Sequence, residues 1–148
     1  MRILANYDNS KLFMHIRHQI GPFEGQTRLC IVDIQDIDNP VLEYSKYQIE
    51  KGLVFFEFLP VPYLEYNTSL DFLYYSDKGS IQKLSSEDFK SLKKVDTEDS
   101  EAMFLKYCAE TEVLLACGTQ DRSVWIMDQR NLVVTKKIKL EGLSNFLA

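Results

Sequence analysis

Residues 114–140, "LLACGTQDRSVWIMDQRNLVVTKKIKL", pack an apolar run, a polar turn, a second apolar run and a third extended stretch into one short segment. Runs this short, rich in β-branched and aromatic residues and punctuated by Gly, Asp, Ser and Asn, predict antiparallel strands joined by tight turns. Most of the chain outside this segment reads the same way. Only "SSEDFKSLKK" (85–94) offers a helix, with Ser85 or Ser86 as cap and Phe89 and Leu92 on one face, and it reads as a single turn or a loop.

Laid against itself, the chain repeats about three times. The third copy runs "AMFLKYCAE", "TEVLLACGTQD", "SVWIMDQ", "LVVTKKIKL". The second runs "GLVFFEFLP", a loop containing "PYLEYNTS", then "LDFLYYSDK", "SIQKLS" and "LKKVD". The first runs "RILANYD", "KLFMHIRH", a loop "QIGPFEGQ", "RLCIVDI" and "VLEYSKYQI". Leu29, Ile81 and Val124 open the third strand of each copy, at intervals of 52 and 43 residues. The copies span approximately 2–50, 52–96 and 101–140, with 141–148 a further strand or a tail.

A four-stranded antiparallel unit of this size cannot cover both its faces alone. It must stack on neighbours of its own kind, and radial stacking gives a propeller. The expected fold is therefore all-β: antiparallel four-stranded blades of a partial β-propeller. A sandwich or barrel of about twelve strands is the other arrangement open to the pattern. Inner strands such as "LCIV" and "VWIM" are apolar without alternation, as two-sided burial requires. Lys46, Lys136, Lys137 and Lys139 mark the outer rim and discourage edge-to-edge pairing.

In "LLACGTQDRSVWIMD" the chain resembles the WD-repeat propeller family. Asp121 stands six residues before Met127, as that family's turn aspartate stands before its tryptophan, and Asp128 takes the aspartate place of the Trp-Asp pair. Met127 replaces the tryptophan, and Trp125 lies two positions early; Val32-Asp33 and Leu84-Ser85 take the pair's place in the other copies. The Gly-His pair is missing from every copy, so the family's side-chain network is not carried over. The resemblance implies a non-enzymatic platform for other proteins, part of a larger propeller or of a multisubunit complex. Closed propellers use about four to eight blades and this chain supplies three, so another chain or a further segment would complete the ring.

Bulk properties narrow the function classes. The chain has 148 residues, 45% hydrophobic and 26% charged, with a formal net charge of −5, which suits one globular domain and disfavours nucleic acid as the main partner. No run approaches the roughly 18 apolar residues of a membrane span, so membrane partners are disfavoured and the expected location is cytoplasmic or nuclear. Cys30, Cys108 and Cys117 sit in apolar strand-like contexts and are expected buried and reduced, with Cys108 and Cys117 on one hairpin. Asn67-Thr68-Ser69 matches a glycosylation sequon and reads more simply as a polar loop.

The residues offer little catalytic chemistry. His15 and His18 point to opposite faces of a strand and read as loop-end or edge residues rather than metal ligands. The acidic runs "DIQDID" (Asp33, Asp36, Asp38) and "DTEDSE" (Asp96, Glu98, Asp99, Glu101) read as solvated loops able to dock a basic segment. No catalytic residue, cofactor or metal site is assigned. The candidate partner-binding residues are Tyr63, Leu64 and Tyr66 in the proline-stiffened "PVPYLEYNTS", with Asp96, Asp99 and Glu101. An enzyme or ligand-binding β domain with a loop-built site, and a lipid- or RNA-binding propeller using Lys136 to Lys139, are the alternative functions.

Overall fold

A computed structural model describes residues 2–21, 24–51, 63–77, 79–97, 103–118 and 122–140. The described residues form twelve strands and no helix: β1 (Arg2–Ala5), β2 (Lys11–Gly21), β3 (Glu24–Asp33), β4 (Val41–Lys51), β5 (Tyr63–Asn67), β6 (Phe72–Asp77), β7 (Ser80–Ser85), β8 (Ser91–Asp96), β9 (Phe104–Cys108), β10 (Val113–Cys117), β11 (Ser123–Asp128) and β12 (Val134–Lys139). They make three antiparallel sheets of four consecutive strands each, β1–β4, β5–β8 and β9–β12. Within the 85–94 stretch, residues 86–90 form the turn between β7 and β8, and the rest is strand. No described helix is long and apolar enough to cross a membrane.

One irregularity recurs in all three sheets. Where the third strand meets the fourth, the register skips one residue, at Glu43, Leu92 and Thr135. The skip lies beside Val32, Leu84 and Met127, which hold equivalent places in the three sheets. A bulge bends a strand and increases its twist, so the three sheets share one local shape. Turn geometry repeats too. Asn9, Asp71 and Glu112 in the first hairpins, and Phe89 and Leu132 in the last, have left-handed backbones. Leu132 N–H donates to the Asp128 carbonyl and Phe89 N–H to the Ser85 carbonyl, closing the same turn twice.

The middle sheet is covered on both sides. Leu73, Tyr75 and Leu84 pack with Leu64, Tyr66 and Phe89 against Phe13, Leu29 and Ile31 of the first sheet. Phe72, Tyr74 and Ile81, on the other face, pack against Leu105, Leu114, Trp125 and Met127 of the third. Every residue from Phe72 to Ser76 is consequently buried, whereas β10 and β11 alternate buried with half-buried. Each full burial of a Leu or Ile side chain contributes about 1.5–3 kcal/mol. Close approaches between sheets run through β1, β5, β6 and β9, so the first strands converge.

Two loops expected from the sequence are strands. The two ends of "QIGPFEGQ", Gln19–Gly21 and Glu24–Gln26, continue the β2–β3 ladder, with Gln19 opposite Gly25 and Gly21 opposite Glu24. "YLEYN" is β5, the first strand of the middle sheet, because Leu64 and Tyr66 are two apart and share its buried face. The stretch 52–60, expected to supply that strand, lies outside the described residues, as do Asp121 and the tail 141–148.

Candidate interaction surfaces

The register assigns the apolar side chains of the two outer sheets to their sides. On the first sheet, Ile3, Met14 and Cys30 form one cross-strand row and Leu12, Val32 and Leu42 another, on the face turned away from the middle sheet. On the third sheet, the corresponding rows are Phe104, Cys117, Val124 and Ile138, then Lys106, Leu115, Ile126 and Lys136. Ile3 is 46% exposed and Leu42 58%; Phe104 and Ile138 are each 41%. Leu12 and Met14 on the first of these faces, and Leu115, Val124 and Ile126 on the second, are half-buried. On β3 burial reaches both sides, through Leu29, Cys30 and Ile31, whereas on β10 and β11 buried and half-buried side chains alternate.

Between the sheets, polar side chains link strands rather than face solvent. Glu65 of β5 is almost wholly buried and takes Arg2 of β1 in an ion pair, with Lys106 Nζ of β9 at 3.4 Å. One charge from each first strand thus meets at the convergence. Farther along, Asn67 Nδ2 donates to Tyr74 Oη at 2.9 Å and to Gln129 Oε1 at 3.0 Å. Tyr107 Oη donates to the same Gln129 oxygen at 3.1 Å, and Tyr74 Oη donates to the Gln129 carbonyl at 2.9 Å. Burial pushes the Tyr74 phenol well above its ordinary range. The Tyr66 phenol is raised by burial, then by its hydrogen bond to Asp71.

The sequence-predicted site residues fall in different places. Leu64 and Tyr66 are core residues, 0% and 5% exposed, and are corrected from exposed anchors to packing, since β5 turns both onto the first sheet. Tyr63 opens β5, and its side chain is not described. Asp96 is exposed at the end of β8, 3.9 Å from Lys94. Asp99 and Glu101 lie outside the described residues. Nothing in the described structure brings the tyrosine stretch and the acidic run into one surface.

Other expectations are corrected by burial. His15 is fully buried in mid-strand, edge-on to Tyr75 with ring centroids 6.1 Å apart, because β2 extends six residues beyond it onto the packed face. Asn67 is buried, its amide engaged with Tyr74 and Gln129, where the sequon had suggested a loop. Cys30 is buried, but Cys108 and Cys117 are half-buried on the side of the third sheet that carries Phe104, and no disulfide joins any of the three. Cys108 pairs with Val113 and Cys117 with Phe104, so the two thiols sit at opposite ends of the hairpin.

The acidic turn at 33–39 is organised by its own hydrogen bonds. Asn39 Nδ2 donates to Asp36 Oδ2 at 2.9 Å, and this bond, followed by the Asp38 N–H, holds the Asp36 carboxyl below the usual range. No described cluster of three or more His, Cys, Asp or Glu is placed to hold a metal. A small open cleft of about 120 Å³ between the first two sheets brings Lys46 and Asp77 to the rims of a wall formed by Leu29 and Tyr75, with no described nucleophile–base pair in its lining. Lys137 Nζ caps the Trp125 ring at 4.9 Å. The buried network was missed from sequence; the visible signal was Asn67 at a strand end, where its Oδ1 accepts from the Ser69 and Leu70 N–H groups.

The chain was compared with known families and with curated proteins. No family model and no curated protein matches it.

Proposed function

We propose that the chain is a non-enzymatic protein–protein interaction scaffold, a WD-repeat-like portion of a β-propeller or a subunit that completes one with other chains. It works in the cytoplasm or nucleus, through its uncovered sheet faces and loops. One observation carries this reading. Among the described residues, β10 and β11 have the two-sided apolar composition of the middle sheet but are fully buried on one side only, and Ile3, Leu42, Phe104 and Ile138 are large apolar side chains exposed on the outer sheets. Exposed contiguous apolar surface of this kind marks a docking site or an aggregation hazard. The convergence of the first strands fits radial stacking.

The test is affinity capture with the parent chain, Ile126→Asp on the uncovered third-sheet face, and an Asp96, Asp99 and Glu101 charge-reversal set. Specific partners retained by the parent and lost with Ile126→Asp support the scaffold and its face; partners lost with the charge reversal locate docking at the acidic run. A folded parent that captures nothing specific overturns the reading.

A further inference from the structure

The first two sheets approach one another through β1 and β5 and stand apart at their third and fourth strands, where the open cleft of about 120 Å³ lies. Register decides what lines it. Gln82 and Leu84 are two apart on β7, and Ser91 of β8 is the partner of Leu84, so all three face the first sheet. Leu29 and Lys46, partners on β3 and β4, face them from the other wall.

Leu29, Tyr75, Leu84 and Phe89 are buried and give the cleft an apolar floor. Its polar groups are few and differ in state. Lys46 is exposed and Gln82 half-buried, and among the described residues neither their side chains nor the Ser91 hydroxyl have a hydrogen-bond or ion-pair partner. Asp77, on the second-sheet wall, is already engaged.

Size excludes most ligands. Sites for whole small molecules run to about 300–1,000 Å³, several times this volume. An engineered cavity of about 150 Å³ takes benzene, so a space of about 120 Å³ takes a four-carbon side chain and not an aromatic ring. The Gln82 amide offers a donor and an acceptor together, the pair that a peptide bond presents in return. Lys46 adds a positive charge at the rim, and Asp77 repels a carboxylate from the facing wall.

We propose that this cleft holds a short extended segment of a partner protein by one leucine- or isoleucine-sized side chain with an acidic residue beside it. The aliphatic side chain lies on Leu29, Tyr75 and Leu84, the peptide bond meets Gln82, and the neighbouring carboxylate meets Lys46. The proposal rests on the scaffold reading for taking the partner to be a protein, and it names that partner's chemistry at a surface apart from the outer sheet faces.

The test is a nuclear magnetic resonance titration of the full isotope-labelled chain with two blocked peptides of Gly and Ser carrying Leu-Asp or Asp-Leu at the centre. At least one is expected to bind with a Kd of about 1 mM, the scale of one buried aliphatic group and one screened ion pair, and to shift the amides of Leu29, Gln82 and Leu84. Replacing the peptide's leucine by alanine or phenylalanine should weaken binding at least about fivefold. Lys46→Glu should weaken it about fivefold at low salt. Ser91→Trp, at an exposed rim position, should block the cleft and leave the folded spectrum unchanged elsewhere. Lys93→Glu makes the same charge change on the opposite side of β8 and should leave affinity within about twofold. No shifts at several millimolar peptide, an equal loss from Lys93→Glu, or a phenylalanine peptide or free leucine that binds as well overturns the inference. A chain that takes the peptide here but captures no protein keeps the cleft and removes the scaffold. One that captures partners through Ile126 but takes no peptide here keeps the scaffold and removes the cleft.

Discussion

Glu65 shows how much a single buried charge can organise. Its carboxylate is met by Arg2 and Lys106, whose side chains keep 32% and 71% of their exposure. Solvent screening of those partners limits the loss on Glu65→Gln to about 1–3 kcal/mol, below that of a fully buried pair. Urea denaturation should read it as a lower midpoint with an unchanged slope. Asn67→Ala removes the donor to Tyr74 Oη and Gln129 Oε1 together with the acceptor of the Ser69 and Leu70 N–H groups, for an expected loss of about 2–4 kcal/mol in the same assay. The tyrosines add a pH dependence. The Tyr66 and Tyr74 phenols are raised in the fold, so the stability they contribute is complete below about pH 10 and is lost as pH climbs through their folded values. Spectrophotometric titration of the eight tyrosines should show a delayed fraction that ionises together with unfolding. Tyr74→Phe should reduce that fraction by about half.

At the scale of elements, the repeated hairpin is a device for placing a plug. Leu132 takes φ 55° so that its side chain can enter the core beneath the β11–β12 turn. A branched residue in this conformation is disfavoured by about 1–2 kcal/mol, which its burial offsets. The usual preference for alanine over glycine should therefore invert here. Leu132→Ala is expected to cost about 2–5 kcal/mol and Leu132→Gly about 1 kcal/mol less, measured by thermal melting of the two variants side by side. Equal losses would show that the backbone relaxes out of the left-handed region when the side chain is removed. Asp128 supports the turn from its other end, its Oδ1 accepting from the Arg130 and Asn131 N–H groups. That role is local to the turn.

For the whole molecule, adjacent residues of β11 should respond very differently to substitution. Met127 is fully buried against the middle sheet and Ile126 faces outward. Met127→Ala should cost about 2–5 kcal/mol of monomer stability, and Ile126→Thr under about 0.5, when both are unfolded at high dilution. Comparable costs would mean that the outer face of the third sheet is covered within the chain itself. Because the middle sheet gains from both neighbours, damage to Leu73 or Ile81 should spread across the molecule. Damage at Ile3 or Ile138 should leave the fold intact and alter association.

Strand type, the grouping of strands by four, and the 52- and 43-residue intervals were legible in the sequence, and the third-strand residues beside the bulges, Val32, Leu84 and Met127, fall at those same intervals. These features follow from local chemistry: β-branched runs, turn residues and the spacing between them. Tertiary structure alone decided that Leu64 and Tyr66 are core, that His15, Glu65 and Asn67 are enclosed, and which side of β10 and β11 is covered. A strand that is apolar on both sides carries no period to say which side is inside. That choice is made by the sheet that arrives next to it, and contacts between sheets join residues too far apart in the chain for any local pattern to record.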